Sequence, residues 1–146
     1  MKIHINEHES AQETEIIINC QRTDEQILRI IAMLQVFDKK VTGMKDNQTF
    51  ILDAKAILYV DTVDKHAFLY TTDNVYETPF KLYELEEQLE DSDFFRASKS
   101  LIINFNQIKS LRPELGGKMQ VIMSNNEKLY VSRQYVTTIK QKLGLL

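Results

Sequence analysis

From residue 49 onward the chain is a series of short β-prone runs, none of them longer than an ordinary strand. The runs are rich in β-branched and aromatic residues, and turn-forming pairs such as Asp64-Lys65 and Asp73-Asn74 separate them. The predicted strands cover residues 49–53, 56–63, 67–72, 74–78, 101–104, 107–112, 118–123 and 128–131. So many short strands in one stretch predict a β-rich domain.

Two short helices are predicted among these strands. Pro79 interrupts the strand series, and the leucines after it recur at a helical spacing. Ser132 is the predicted N-cap of a last helix near the C-terminus. The positions predicted to face inward on the two helices are Leu82, Leu85, Leu89, Val136, Ile139 and Leu143.

Residues 1–43 differ from the rest in their predicted elements, which are two short strands and a helix. They predict a small α+β extension, whose boundary with the β-rich part lies at residues 39–43. Residues 2–6 and 14–19 are predicted to be strands joined by a polar connector at residues 7–13. The domain division is therefore an extension followed by a β-rich domain from residue 44 to 146.

A helix is predicted to complete the extension. Thr23 is its expected N-cap, with Gln26 at the capping-box position, and the helix would end near Val36. Its apolar residues cover more than one face, so it is expected to pack against two surfaces. An apolar excess of this kind makes the extension a candidate dimerisation element.

The cysteine content and the absence of long apolar runs favour a cytoplasmic protein. Cys20 is the single cysteine, which excludes an internal disulfide and suits a reducing compartment. We expect its side chain to be buried at a strand end. No apolar run approaches the roughly 20 residues that a membrane helix needs, and the N-terminus lacks a signal-peptide pattern.

The residue types that catalysis and metal binding require are poorly placed. His4 and His8 are four residues apart in a segment that does not look helical, so we predict no metal site. The pair Gly116-Gly117 lies in a hairpin-like context rather than in a phosphate-binding loop. The acidic run at residues 83–93 is interpreted as the solvated face of a short helix. The sequence thus predicts no catalytic residues and no cofactor.

Charge is distributed unevenly along the chain. Residues 95–146 carry nine lysines and arginines but only two acids, whereas residues 1–94 hold nine basic and nineteen acidic residues. A basic segment within an acidic chain predicts an anionic partner, and nucleic acid is the commonest large one.

Within the basic segment, two places offer side chains suited to phosphates or base edges. Arg96 and Lys99 stand in a predicted turn just before the apolar strand at residues 101–104. Arg133 and Gln134 would occupy the first turn of the last helix, where free backbone N–H groups attract phosphate. The alternative for all of them is an ordinary exposed polar side chain.

A third candidate place is the hairpin turn that contains Lys65 and His66. A single histidine in a turn is more often incidental than functional. The functional interpretation therefore requires this turn to lie on the same surface as Lys99 and Arg133.

From about Met44 to the C-terminus, the chain resembles the LytTR-type DNA-binding domain of bacterial transcription regulators. Four features in order carry the resemblance: DKH at residues 64–66, KLYELEEQL at 81–89, FFRASKSLIINFNQIKSL at 94–111 and YVSRQYV at 130–136. The spacing of the third and fourth features is fairly specific, although each feature alone is weak.

The resemblance implies a mostly β domain whose loops, rather than a recognition helix, enter consecutive major grooves of double-stranded DNA and bend it. By position, His66 matches the contact residue of the first hairpin loop and Lys99 that of the loop before the apolar strand. Arg133 and Gln134 match the contacts of the last loop. Ser98 stands where many members have histidine.

The resemblance also bears on organisation and partners. The segment before Met44 is too short for a receiver domain, so the whole chain resembles the free-standing class. Members of that class are often encoded beside a small membrane protein that inhibits them, which makes such a protein a possible partner. The leading hypothesis is a sequence-specific transcription regulator that binds DNA as a homodimer. The alternative is a protein-interaction module whose basic face binds an acidic protein.

Overall fold

The computed structural model describes residues 1–11, 14–37, 39–90 and 92–144, and it is mostly β. The strands are β1 (Lys40–Lys45), β2 (Gln48–Asp53), β3 (Tyr59–Val63), β4 (His66–Tyr70), β5 (Val75–Thr78), β6 (Phe94–Arg96), β7 (Leu101–Asn104), β8 (Ile108–Pro113), β9 (Met119–Met123) and β10 (Lys128–Val131). The helices are α1 (Glu25–Phe37), α2 (Leu82–Gln88) and α3 (Val136–Lys142). The predicted fold class is confirmed.

The strands form two antiparallel sheets. The larger has seven strands in the order β2-β1-β5-β4-β3-β7-β6, and the smaller has three in the order β10-β9-β8. Strands β7 and β10 coincide with the predicted runs, and the other strands predicted from residue 49 onward differ from the observed ones only at their ends. The β-branched and aromatic runs and the turn signals between them therefore located most of the residues of these strands correctly.

Strand β7 lies at the centre of the fold because both of its faces are covered. Ile102 belongs to a core cluster with Leu85 of α2, on one side of the large sheet. Ile103 belongs to a second cluster with Val121 of the small sheet and Ile139 of α3. A strand covered on both faces reads as a continuous apolar run, which explains the sequence LIIN. The loop that precedes β7 is therefore attached to a rigid base.

The N-terminal segment differs from its prediction. Residues 2–6 and 14–19 form no strand, and residues 1–11 and 14–24 have no regular secondary structure and expose their isoleucines. Two lone strands are marginally stable unless a third strand or a packed layer supports them, and no described strand of this chain pairs with them. The predicted burial of Cys20 is wrong for the same reason, since the cysteine is exposed. Residues 12 and 13 of the predicted connector lie outside the described residues.

Helix α1 forms where it was predicted, but its cap is one residue further on. The Asp24 carboxylate, rather than Thr23, accepts a hydrogen bond from the Ile27 N–H at 3.0 Å. The side chain of Val36 lies outside the described residues. No helix in the described ranges combines the length and the apolar character needed to cross a membrane.

A domain boundary was predicted at residues 39–43 because Gly43 suggested a break there. Strand β1 occupies this region instead. Gly43 lies inside β1, and a Cβ added to it would come within 2.8 Å of the Tyr76 Cβ. The glycine is thus needed for close packing rather than for a turn. The following turn uses Asp46 and Asn47 with φ of 52° and 63°, the left-handed pair of a tight hairpin. The division of the chain into two domains stays a prediction.

The two C-terminal helical predictions have different outcomes. The leucines of α2 and the following Leu89 are buried, as predicted. At the last helix, residues Arg133–Tyr135 form a 3-10 turn and α3 starts only at Val136. Ser132 makes no capping hydrogen bond, and Leu143 is exposed rather than inward-facing.

Candidate nucleic-acid interface

Three loops meet at one end of the molecule. We call the Asp64–Lys65 turn between β3 and β4 the first loop, residues 97–100 between β6 and β7 the second loop, and residues 132–134 after β10 the third loop. The Ser132 N–H donates to the Ala97 carbonyl at 2.8 Å and joins the third loop to the second. The Thr62 N–H donates to the Ser100 carbonyl at 2.9 Å, two residues before the first loop begins.

The first loop is a tight turn with two left-handed residues, Asp64 at φ 51° and Lys65 at φ 68°. A lysine is unfavourable in this conformation, which normally selects glycine or asparagine. His66 follows at the start of β4, and its Nδ1 lies 3.0 Å from Glu77 Oε1. This contact orients the ring and leaves Nε2 for another partner. Both Lys65 and His66 are exposed.

The second loop is held by short-range hydrogen bonds. The Ala97 N–H donates to the Leu101 carbonyl at 2.8 Å, and the Ser100 N–H donates to Ser98 Oγ at 3.2 Å. Lys99 lies at the exposed tip of this tight turn. The loop therefore presents one ammonium group from a compact backbone.

Arg96 is not the exposed contact that its position in the sequence predicted. Its Nε donates to the Ser98 carbonyl and its Nη2 to the Lys99 carbonyl, both at 2.7 Å. Its Nη1 lies 3.3 Å from Glu86 Oε2 on α2. The guanidinium thus faces the backbone of the second loop and the carboxylate of Glu86.

The third loop exposes Arg133 and Gln134 from the 3-10 turn. The expected helix N-terminus at Arg133 is therefore absent, and the arginine is positioned in another way. A Cβ added to Gly117 would lie 2.9 Å from both Cγ and Cδ of Arg133, so the arginine stem rests on a bare backbone. Sequence reasoning missed this role, because Gly116-Gly117 indicated only a turn.

The second and third loops together line one open groove of about 460 Å³. Its lining consists of Ser98, Lys99, Ser100, Ser132, Arg133 and Gln134. Hydroxyl, amide and cationic groups are the donors that bind phosphate oxygens and base edges. Four of the six predicted contact residues lie here, and Lys65 and His66 lie on the adjacent first loop.

The carboxyl group of Asp61, on β3, is partly buried. Burial raises the pKa of Asp61, and the hydrogen bond from the Thr62 N–H at 2.9 Å partly opposes that rise. The same N–H also donates to the Ser100 carbonyl. In the described ranges, no group of three His, Cys, Asp or Glu residues is arranged to hold a metal ion.

Sequence comparison finds relatives of this chain among known bacterial proteins. The chain is 36% identical over 95 residues to the sensory transduction protein LytT of Bacillus subtilis, covering 65% of this chain and 39% of that protein. It is 27% identical over 147 residues to an uncharacterized HTH-type transcriptional regulator of Staphylococcus aureus (strain NCTC 8325), covering 99% of both chains.

A solved structure is also similar. The LytTr DNA-binding domain of a putative methyl-accepting/DNA response regulator from Bacillus cereus superposes with a TM-score of 0.68 at 26% identity. The match covers 73% of this chain and 98% of that one. The family described as the LytTr DNA-binding domain matches residues 47–144, which include all three loops. The chain therefore belongs to the LytTr DNA-binding domain family.

Proposed function

We propose that this chain is a sequence-specific transcription regulator that binds double-stranded DNA through its three loops. The observation that carries the proposal is the convergence of the predicted contact residues at one end of the fold, four of them in a single groove. In the described part of the chain, Lys65, Lys99 and Arg133 take part in no ion pair. Unpaired cations on adjacent loops suit a polyanion better than a small ligand.

The residue types suggest a division of roles. Arg133 and Lys99 suit guanine O6 and N7, and Gln134 suits adenine N6 and N7. The Ser98 hydroxyl and the Lys65 ammonium suit phosphate oxygens, which fix register without reading sequence. The Nε2 of His66, left free by the contact with Glu77, suits a base edge or a phosphate. In this proposal the first loop enters one major groove of the DNA. The second and third loops, which line the groove of the protein, enter the next major groove.

Binding measured across a salt series tests the proposal. DNA selected from a random pool is labelled, and fluorescence anisotropy gives the affinity of the full chain at each salt concentration. We expect log K to fall steeply with log salt, by about 0.9 for each phosphate contacted. A flat response, or no binding in low salt, would contradict DNA binding. A nuclease-resistant protein complex would then favour the interaction-module alternative.

We further propose that the chain binds DNA as a homodimer, joined by the N-terminal extension. The exposed apolar residues of this extension include Ile3, Ile5, Ile16, Ile17, Leu28 and Met33. A second copy of the chain can cover them and can pair the unpaired β-prone runs at residues 2–6 and 14–19. That a small membrane protein inhibits the chain stays a prediction from the family resemblance.

Light scattering tests the dimer. We expect the full chain to have twice its monomer mass at micromolar concentration, and the double substitution Leu28→Gln/Met33→Gln to shift it towards the monomer. Ile51→Gln is the matched control, because Ile51 is 74% exposed, against 57% for Leu28 and 68% for Met33, but lies on β2, outside the extension. A monomeric wild-type chain, or an equal effect of the control, would overturn the proposed interface.

A further inference from the structure

We propose that Arg96 and Glu86 form a clamp that sets the conformation of the second loop, so that Arg96 acts on DNA recognition by positioning Lys99 rather than by touching DNA. The inference rests on the proposed function, since it assigns a positioning role to a residue behind the groove. It goes beyond that function because it gives Arg96, which lies in the same basic turn as Lys99, a role other than contact with DNA.

The geometry of the guanidinium carries the first step. Arg96 spans the second loop from below, with Nε on the Ser98 carbonyl and Nη2 on the Lys99 carbonyl, each at 2.7 Å. The Ser98 carbonyl belongs to the peptide before the Lys99 Cα and the Lys99 carbonyl to the peptide after it, so the two acceptors flank Lys99. A rigid planar fork that binds both carbonyls fixes the orientation of the two peptides that flank Lys99, and hence the direction of the Lys99 side chain.

Glu86 completes the clamp from the other side. Its Oε2 lies 3.3 Å from Nη1 of Arg96, so the guanidinium bridges a helix and a loop. Helix α2 is itself fixed, because Leu82 and Leu85 are buried in the core beneath it. The second loop is thereby tied to a packed element, which is how binding loops keep a productive geometry.

Burial separates Arg96 from the contact residues. The Arg96 side chain is only 22% exposed, whereas Lys99 and Arg133 are exposed at the groove. Three of its N–H directions already have protein acceptors. Any displacement of the guanidinium towards a phosphate would break its bonds to the two loop carbonyls, which would leave charge-assisted hydrogen bonds unmade.

The clamp predicts an effect on affinity without an effect on charge neutralisation. In the free chain the second loop is already ordered, so DNA binding does not have to bear the cost of ordering it. Loss of the clamp should therefore weaken binding to the selected site while the number of phosphate contacts stays the same. This separates a positioning residue from a phosphate ligand, whose loss lowers the salt slope by about one.

The test compares Arg96→Gln, Arg96→Lys and Glu86→Gln in the full chain. Affinity is measured on the selected DNA and on random-sequence DNA across a salt series, and amide hydrogen exchange reports the order of the second loop. Lys109→Gln is the charge-matched control, because Lys109 bonds Asn126 at the opposite end of the small sheet. Circular dichroism melting identifies any variant that fails to fold.

We expect Arg96→Gln to bind the selected DNA roughly tenfold more weakly, with an unchanged salt slope and nearly unchanged binding to random DNA. Arg96→Lys should behave similarly, because an ammonium group cannot span two carbonyls and a carboxylate as the fork does. Glu86→Gln should give a smaller loss in the same direction. The amides of Ser98 and Ser100 should exchange faster in all three variants.

Two outcomes would overturn the clamp. One is a salt slope reduced by about one in Arg96→Gln, with equal losses on selected and random DNA, which would make Arg96 a phosphate contact. The other is unchanged binding and unchanged exchange in the folded variants. If the wild-type chain binds no DNA, the proposed function fails, whereas faster loop exchange in the variants would still support the clamp.

Discussion

Replacing Arg133 by alanine is expected to weaken binding of the selected DNA site by about 1–3 kcal/mol, and Lys99→Ala by a similar amount. Both side chains project into one groove from loops that the Ser132–Ala97 hydrogen bond joins. If they read bases, each loss should come with relaxed preference at one base-pair position. Anisotropy titrations on single-base variants of the site measure both quantities.

The two positions should also be coupled. Because both line the same groove, the double variant should depart from the sum of the single losses, whereas distant sites add within about 0.5 kcal/mol. Lys109→Ala serves as the control for lost positive charge, since Lys109 lies at the other end of the small sheet. If neither substitution weakens binding while the fold stays intact, the site assignment is wrong. A loss equal on every DNA sequence would make the side chains phosphate ligands.

Residues from 49 onward could be placed well from the sequence because their signals are local. The runs LIIN and KLYV coincide with β7 and β10, since apolar residues bounded by turn residues define a strand almost alone. The leucine spacing of α2 identified its buried face for the same reason. Loops at the ends of such strands then follow from the strands themselves, so the three candidate places were predictable.

The structural predictions that failed concerned features that depend on contacts between distant residues. From the sequence alone, Gly43 suggests the end of an element, yet it lies inside β1. A glycine is needed there because the Tyr76 Cβ leaves no room for a side chain. The runs at residues 2–6 and 14–19 have strand composition, but strands also need a partner, and the described chain supplies none. Composition thus predicts a capacity to pair, and tertiary context decides whether pairing occurs.

The direction in which a charged side chain points could not be predicted from the sequence either. Arg96 and Lys99 are three residues apart in one basic turn, and nothing in that spacing distinguishes them. The structure directs Lys99 outward and Arg96 under the loop, because Glu86 and two loop carbonyls lie on the inner side. A count of basic residues therefore overstates the number available to DNA.

The pair Gly116-Gly117 provides the second prediction with a large effect. Substituting Gly117 by alanine should weaken DNA binding by about 1 kcal/mol or more, up to the loss caused by Arg133→Ala. The reason is steric: the new Cβ would lie 2.9 Å from Cγ and Cδ of Arg133, so the arginine must leave its present position. Anisotropy on the selected DNA measures the loss, and thermal unfolding measures the accompanying change in stability.

Gly116 supplies a control matched in backbone strain. Both glycines have φ of +83°, but a Cβ added to Gly116 meets nothing within 4 Å. Alanine at either position should lower stability by roughly 1–2 kcal/mol, since both adopt the left-handed conformation. Only Gly117→Ala should also lower DNA affinity. An equal loss of affinity in both variants would attribute the effect to backbone strain and not to Arg133.

The double variant Gly117→Ala/Arg133→Ala separates the remaining possibilities. If Gly117 acts through Arg133 alone, the double variant should bind DNA as weakly as Arg133→Ala and no more weakly. An additive loss would mean that residue 117 contacts DNA itself or moves other groups of the groove. Because the arginine stem lies directly on the Gly117 backbone, we expect no additional loss. Recognition by Arg133 then requires that residue 117 have no side chain.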